Sequence, residues 1–405
     1  MFDPSSIIVG LEVGTSKVCA VVGELNAEGA LNIVGLGQAR SRGVRKGEIA
    51  DTSLAEEDIR QAIVEAEHMA DVEIRSVYLG VTGGHVRGFN NRGVHPVASA
   101  DREICEEDVQ DVIKNAKTIN LPAQNHVVHA IRQHFLVDGQ NGITNPVGML
   151  GARVEVDVHV IHGNLNRLQN AIRAVKGLQL EVDDIVFNGL AASLALLSNE
   201  HKELGSLVID IGGGTTEYVI YVDGIIKHTG VLGVGGDHVS NDLAYGLKVP
   251  LSRAEQLKVE HGCAVMDDGV KGQTLTVSNE LGLPLKTINL EHLRRIMALR
   301  LEEIFQLIAH DIEQNGATDY LRAGAFLCGG GARIPQIAKL AEEVLQMNVT
   351  VGRTNSISGL KSALDQPEFA TAIGLVKFGS FQQRKRKSSL TDGLKTKLGH
   401  LFRRG

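Results

Sequence analysis

Hydrophobic positions along this chain follow two periods, and the switches between them mark out its elements. Apolar runs that end at glycine and hydroxyl residues predict strands on either side of Gly14-Thr15-Ser16, over Ser76–Val81, and over 127–135, 154–161, 207–211 and 218–222. Ile59, Ala62, Ile63, Ala66 and Met69 instead recur at i, i+3, i+4 and i+7, which predicts a helix after Thr52-Ser53. Further helices are expected over Glu106–Lys117, 165–175, 253–261 and 238–245, the last with Asp237 as its N-cap. Leu293, Ile296, Met297, Leu301, Ile304, Phe305 and Ile308 make one long helical stripe, which reads as core packing. The stretch 267–285 alternates weakly and reads as a loop-rich hairpin.

The end of the chain has its own pattern. After a polar, basic stretch over 382–388, Leu390, Leu394, Leu398, Leu401 and Phe402 recur at helical spacing, with Lys395, Lys397, Arg403 and Arg404 at other positions. A short basic amphipathic helix of this kind fits an interfacial anchor, its apolar face in the headgroup boundary and its cations on anionic lipid. Gly393 and Gly399 weaken the isolated helix, so folding is expected on the membrane. A basic tail could also bind nucleic acid or an acidic groove, but regular apolar spacing argues for a lipid or protein surface over DNA.

Charge sharpens that division. The net charge is -7, yet from Gln382 onward eight basic residues stand against Asp392 alone, so an acidic body carries a basic tail. With 405 residues, 43% of them hydrophobic, the chain can bury a large core in two or more domains. No run approaches the roughly 20 apolar residues of a membrane span, so membrane contact is expected to be peripheral, and the N-terminus lacks a signal-peptide pattern. Cys19, Cys105, Cys263 and Cys328 are far apart, which fits a reducing compartment without a disulfide framework or zinc site. His126, His129, His134, His159 and His162 match no familiar ligand spacing and read as surface or strand-edge residues. Nothing reads as a nuclease, a protease or a nucleic-acid module.

Candidate chemistry centres on Asp210-Ile211-Gly212-Gly213-Gly214-Thr215-Thr216. Glycines leave backbone N–H groups bare and permit positive φ, so successive amides can point into one concavity that suits an anion. Asp210 at its edge suits a hydrated Mg²⁺. A tight hairpin with an incidental Asp fits the same residues. The pattern occurs a second time at the start of the chain, where Glu12 aligns with Asp210 and Gly14-Thr15-Ser16-Lys17 follows. Two such loops suggest two similar lobes that clamp one phosphate chain, with Lys17 adding a point charge at the β- and γ-phosphates.

Together with Gly329-Gly330-Gly331-Ala332-Arg333, these motifs resemble the two phosphate loops and the adenosine loop of the actin, heat-shock chaperone and sugar kinase superfamily. The resemblance implies an α/β, actin-like two-lobed ATPase fold with ATP in the cleft. Gly14, Thr15, Ser16, Lys17, Asp210, Gly212, Gly213, Gly214, Thr215, Thr216, Gly329, Gly330 and Gly331 are then expected around the nucleotide, and Glu12 and Asp210 around Mg²⁺, through water. Gly235 and Gly236 would lie against ribose and phosphates, Glu255 and Lys258 would hold ribose and adenine, and Arg333 would stack on adenine. For the three charged residues an ordinary ion pair is the alternative. Many ATP-hydrolysing relatives carry glutamate where this chain has Asn188. An amide can orient a water but cannot accept its proton, so ATP binding with slow turnover is expected.

The segments 41–51 and 145–153 resemble the FtsA family of actin-like bacterial division proteins, and the similarity runs nearly end to end. It implies a first lobe from 1–84 and 163–204 and an inserted α+β subdomain over 85–162, for self-association and contacts with later division proteins. It further implies a second lobe from 205–247 and 302–381, a basic linker over 382–388 and a C-terminal amphipathic, membrane-targeting helix over 389–405. A small outer subdomain over 248–301 would receive the tail peptide of the tubulin-like protein FtsZ, with Arg294, Arg295 and Arg300 suited to its carboxylates. The implied role is an ATP-binding, polymerising tether that holds FtsZ filaments on the cytoplasmic face of the membrane at the septum and recruits septum-assembly proteins. A kinase or chaperone-type ATPase would need a substrate base or a peptide-binding domain. A pilus-assembly scaffold would not need the C-terminal anchor.

Overall fold

The computed structural model describes residues 7–26, 28–99, 101–266, 268–278, 284–354, 357–360 and 365–384. Its two main sheets repeat one idea. In the first, the strands run Glu181–Phe187, Ser76–Val81, Ile7–Val13, Lys17–Leu25, Leu31–Arg40 and Ser358–Gly359. In the second they run Ile225–Leu232, Thr216–Val222, Ser206–Ile211, Ala325–Cys328 and Val349–Val351. Ile7–Val13 pairs antiparallel with the strand after its glycine turn and parallel with Ser76–Val81. Ser206–Ile211 does the same with Thr216–Val222 and Ala325–Cys328. This is the expected two-lobed α/β architecture, with an acid-bearing central strand in each lobe.

Every residue of Ser206–Ile211 and Thr216–Val222 is buried, as strands covered on both faces require. Between the sheets cross the helix Asn188–Leu196 and a helix over 370–384. They approach so closely that a Cβ added to Gly374 would stand 1.8 Å from the Ala191 carbonyl oxygen. Val21, Tyr78, Ala191, Val208, Val219 and Ile373 belong to one apolar cluster, so a continuous seam joins both lobes.

A third sheet, ordered Arg87–Pro96, Arg153–Asn164, Asn125–Val137 and Gln140–Ile143, packs Val154, Val156 and Val158 against Val109, Val112 and Ala116 of the helix Glu106–Lys117. It is tied to the second lobe through side chains. Gln133 Nε2 donates to the Ile226 carbonyl at 2.6 Å and Asn90 Nδ2 to that of Lys227 at 3.0 Å, while His159 Nε2 lies 2.9 Å from Thr229 Oγ1. The expectation of surface or strand-edge histidines is therefore corrected for His159. It is fully buried, and burial, reinforced by the charges of His228 and His129, lowers its pKa to about 3. His129 accepts from the Phe187 N–H at 3.0 Å, and burial lowers its pKa to about 4.

The helices Gly236–Leu247, Leu251–His261 and Leu290–Gln314 share a core with the second lobe's sheet, next to the hairpin Thr274–Ser278 and Pro284–Asn289. The 25-residue helix Leu290–Gln314 runs unbroken through residue 301, so the outer subdomain and the second lobe share an element as well as a core. Two boundaries differ from expectation. The helix expected at 238 starts at Gly236, with Gly235 rather than Asp237 in the N-cap position, because the Gly236 and Asp237 amides donate to the Gly212 and Gly213 carbonyls. The helix over 370–384 occupies the start of the stretch read as a linker. Leu390, Leu394, Lys395, Lys397, Leu398, Leu401, Phe402, Arg403 and Arg404 lie outside the described residues.

Candidate functional site

The three glycine loops end at one cavity of about 310 Å³. Glu12, Gly14, Thr15, Ser16 and Lys17 line it from the first lobe, Asp210, Gly212, Gly213 and Thr215 from the second, and Gly329, Gly330 and Arg333 from the third loop. The first two loops are the same turn made twice: the Gly14 N–H donates to the Lys17 carbonyl and the Gly212 N–H to that of Thr215, each at 2.9 Å. Gly329 has φ +80°, and a Cβ there would stand 2.3 Å from Asp210 Oδ1, so only glycine brings this loop against the carboxylate.

Charge in the cavity is strongly coupled to burial. Lys17 Nζ lies 2.8 Å from Glu12 Oε2. Burial opposes the ammonium, but Glu12, helped by Asp210, outweighs it and raises the Lys17 pKa. Burial, then the charge of Glu12, raises the pKa of Asp210, against the Thr371 hydroxyl 2.5 Å away and the charge of Lys17. Glu217 is raised by burial and then by Asp210, against hydroxyl donors from Thr82 and Thr215. An anion alone would meet four acids here, Glu12, Asp210, Glu217 and Glu368. A phosphate chain accompanied by a divalent cation would not, because the cation offsets the carboxylates. Among the described residues no three His, Cys, Asp or Glu side chains form a metal cluster, so phosphate and water would have to complete the shell of such an ion.

Two buried atoms of the described cavity lining await a partner. Among the described residues Asn188 Oδ1 and Glu368 Oε2 have no hydrogen-bond partner, and both residues line the cavity. Buried polar atoms are rarely left so, and a bound ligand or its waters would supply the missing donors. The unsatisfied amide of Asn188 sits near Gly80, whose added Cβ would be 2.4 Å from it.

Other expected site residues stand behind or beside the cavity. Thr216 is a correction: its buried hydroxyl donates to the Val234 carbonyl at 2.8 Å and so supports the loop from behind. Gly214 faces Thr15 and Lys46 across the lobes, and Gly331 packs on Ile211. Gly235 lies against the Gly212 and Gly213 carbonyls, where a Cβ would come within 2.5 and 2.7 Å. Lys258 donates to the Gly236 carbonyl at 3.2 Å and pairs with Glu255 at 2.6 Å, so these two form an ion pair at the rim outside the lining. Arg333 pairs with Glu368 at 2.5 Å while 62% of its side chain stays exposed.

Sequence reasoning missed Glu217, Thr82, Gln38 and Glu368, all of which line the cavity. Glu217 had a signal, because it stands opposite Asp210 in the register of the two strands around the glycine turn. Glu368 had none, since it is aimed by the short 3-10 turn Pro367–Phe369 that packs beside the third loop.

Arg294, Arg295 and Arg300 lie on Leu290–Gln314, outside the cavity. Arg300 is already committed, with Nε 2.5 Å from Asp242 Oδ2 and a further contact to Glu303. Arg294 Nε reaches the His261 carbonyl at 3.4 Å, and Arg295 is exposed. Among the described residues no helix is long and apolar enough to cross a membrane.

Comparison with known proteins adds a family. Residues 207–374 match the model of cell division protein FtsA, and residues 83–162 match that of the SHS2 domain inserted in FTSA. The chain is 36% identical to the cell division protein FtsA of Pseudomonas aeruginosa over 96% of its length and 92% of the relative's. It is 38% identical to that of Borreliella burgdorferi over 96% of its length and 97% of the relative's. Among solved structures, the PilM-PilN type IV pilus biogenesis complex matches 92% of this chain and 98% of its own at TM-score 0.64 and 17% identity. MreB5 of Spiroplasma citri bound to ADP matches 95% of this chain and 99% of its own at TM-score 0.57 and 16% identity. At those identities the solved structures speak for the fold alone.

Proposed function

The chain belongs to the FtsA family of cell division proteins, and on that premise we propose that it binds ATP with Mg²⁺ between its lobes and uses the bound state to govern assembly on the membrane. The observation that carries this reading is the convergence of three glycine loops on one cavity lined by Glu12, Lys17 and Asp210. Nucleotide-bound relatives of the same fold, such as MreB5 with ADP and with AMPPNP, support it.

Within the cavity the roles divide by chemistry. Backbone amides of the first two loops hold phosphate oxygens, and Lys17, kept charged by Glu12, adds the point charge. Asp210 would hold Mg²⁺, and that ion, with Lys17, would offset the charge of Glu12. The third loop and Arg333 take the adenosine end, with Glu255 and Lys258 at the rim. Bound Mg²⁺ would neutralise charge on the phosphates and orient them. Asn188 positions a water but cannot take its proton, so turnover is slow.

The wider role follows the family. The protein polymerises, the outer helices receive the acidic tail of FtsZ, the insert contacts further copies and later division proteins, and the basic amphipathic tail meets anionic lipid on the cytoplasmic face at the septum. Arg295 is the best placed of the three arginines for FtsZ carboxylates, because Arg300 already holds Asp242. No role in nucleic-acid binding is assigned.

Asp210→Ala tests the nucleotide reading. Calorimetry with ATP and Mg²⁺ is expected to show affinity reduced at least about tenfold, or ~1.4 kcal/mol. Unchanged affinity in a folded variant would contradict the site.

A further inference from the structure

An apolar cavity of about 530 Å³ lies beside the last turns of the helix over 370–384, where three parts of the molecule meet. Phe378 and Phe381, three residues apart and so on one face, line it with Leu190 and Leu194 of the helix Asn188–Leu196, Ile131 of the insert's sheet and Ile225 of the second lobe. Phe381 is 40% exposed, and Ile131, Leu194, Ile225 and Phe378 are partly exposed, so the apolar wall is open to solvent. The volume falls within the ~300–1,000 Å³ of pockets that bury an apolar ligand.

Charge at the rim is uneven. A Cβ added to Gly224, which lines the cavity, would stand 2.6 Å from Glu203 Oε1, and the exposed Asp223 precedes that glycine. On the insert's side Arg132 lies over the Phe135 ring, 4.9 Å from its centroid, and donates to the Thr144 carbonyl at 3.3 Å. An apolar wall with an acidic edge suits a basic amphipathic helix laid in with its apolar face inward.

This chain carries such a segment at the mouth of the cavity. Gln382 lines the cavity, and the described part of the helix reaches 384. Leu390 follows six residues later, and Leu390, Leu394, Leu398, Leu401 and Phe402 recur at helical spacing among Lys395, Lys397, Arg403 and Arg404. Six extended residues reach at most about 20 Å. So short a tether keeps the apolar stripe beside the cavity at an effective concentration on the order of millimolar.

We propose that, away from a membrane, the apolar face of residues 390–402 seats in this cavity, its cations towards Glu203 and Asp223, and that anionic lipid displaces it. The lipid half rests on the membrane reading of the tail. One apolar face then serves two surfaces in turn, masked on the body in solution and released where anionic lipid outcompetes the cavity.

The test uses the full chain with p-benzoylphenylalanine in place of Ile225, on the second lobe's wall, and reads photo-crosslinks by mass spectrometry. Without lipid, crosslinks to residues 390–402 of the same chain are expected. Leu398→Asp is expected to lower their yield at least about fivefold, because a carboxylate would have to enter the cavity. Phosphatidylglycerol vesicles are expected to remove the crosslinks, and phosphatidylcholine vesicles to leave them. Ile225→Glu, or the milder Ile225→Ser where the first variant melts below wild type, is expected to partition about fivefold more onto phosphatidylglycerol vesicles, because a larger fraction of the tail is free to bind. Crosslinks to a second copy or to no tail residue would overturn the proposal. Crosslinks that persist while the chain is bound to phosphatidylglycerol, a Leu398→Asp yield equal to wild type, or variants that partition as wild type would overturn it too. Tail crosslinks in a wild type that binds no vesicle would keep the seat and remove the membrane reading instead.

Discussion

Glu217 is the residue whose behaviour follows most directly from its surroundings. It is buried and faces Asp210 across the strand pair, so its carboxyl holds a proton more tightly than the ordinary value of 4.5, against the Thr82 hydroxyl that it accepts. In the nucleotide-free protein the folded state keeps that proton after the unfolded chain has lost it. Stability therefore falls as pH rises above about 4.5, with a slope of up to ~1.4 kcal/mol per pH unit, until the folded group ionises. Urea unfolding at pH 5, 7 and 9 is expected to show a shallower decline for Glu217→Gln than for the wild type; parallel profiles would mean that Glu217 is not held protonated. The loop residues of this site were legible in the sequence because glycine, acid and hydroxyl types are the chemistry of the turn itself. Glu217 and Glu368 were not singled out, because a strand register and a distant 3-10 turn aim them into the cavity. Thr216 was placed in the site because its type fits a phosphate loop, whereas strand alternation turns it towards Val234.

At the scale of elements, the two helices between the sheets set the spacing of everything the cavity needs. Asn188 starts one of them, and Thr371, which bonds Asp210, lies near the start of the other. Their contact is made at Gly374, where any side chain meets the Ala191 carbonyl. Gly374→Ala is expected to destabilise the protein by about 1–3 kcal/mol, the usual range for overpacking, and to weaken ATP binding by splaying Asn188 from Asp210. Thermal melts and nucleotide titration check both effects, and a variant with wild-type melting temperature and affinity would show that the crossing is not tight. Strands and amphipathic helices such as Ser76–Val81 and Glu106–Lys117 stand where periodicity put them, because their own burial decides them. The start of Gly236–Leu247 does not, because its first amides bond the Gly212-Gly213 turn, a tertiary contact with no local signature. The inter-sheet setting of His159 was hidden for the same reason, since its partner Thr229 is 70 residues away.

For the whole molecule, two lobes share one apolar seam, one cavity opens between their glycine loops, and the insert is bonded to the second lobe by Asn90, Gln133 and His159. Ligand that draws the loops together therefore acts on both sheets at once, and through the second lobe on the insert. That link between cavity and outer surfaces is what a nucleotide-governed scaffold of the proposed kind needs. Electron microscopy of the full chain on phosphatidylglycerol-containing lipid monolayers, with and without ATP and Mg²⁺, tests it most directly. Ordered filaments on the lipid are expected with ATP and Mg²⁺ and are expected to be lost without nucleotide or in Asp210→Ala; identical filaments in all three conditions would overturn nucleotide control of assembly.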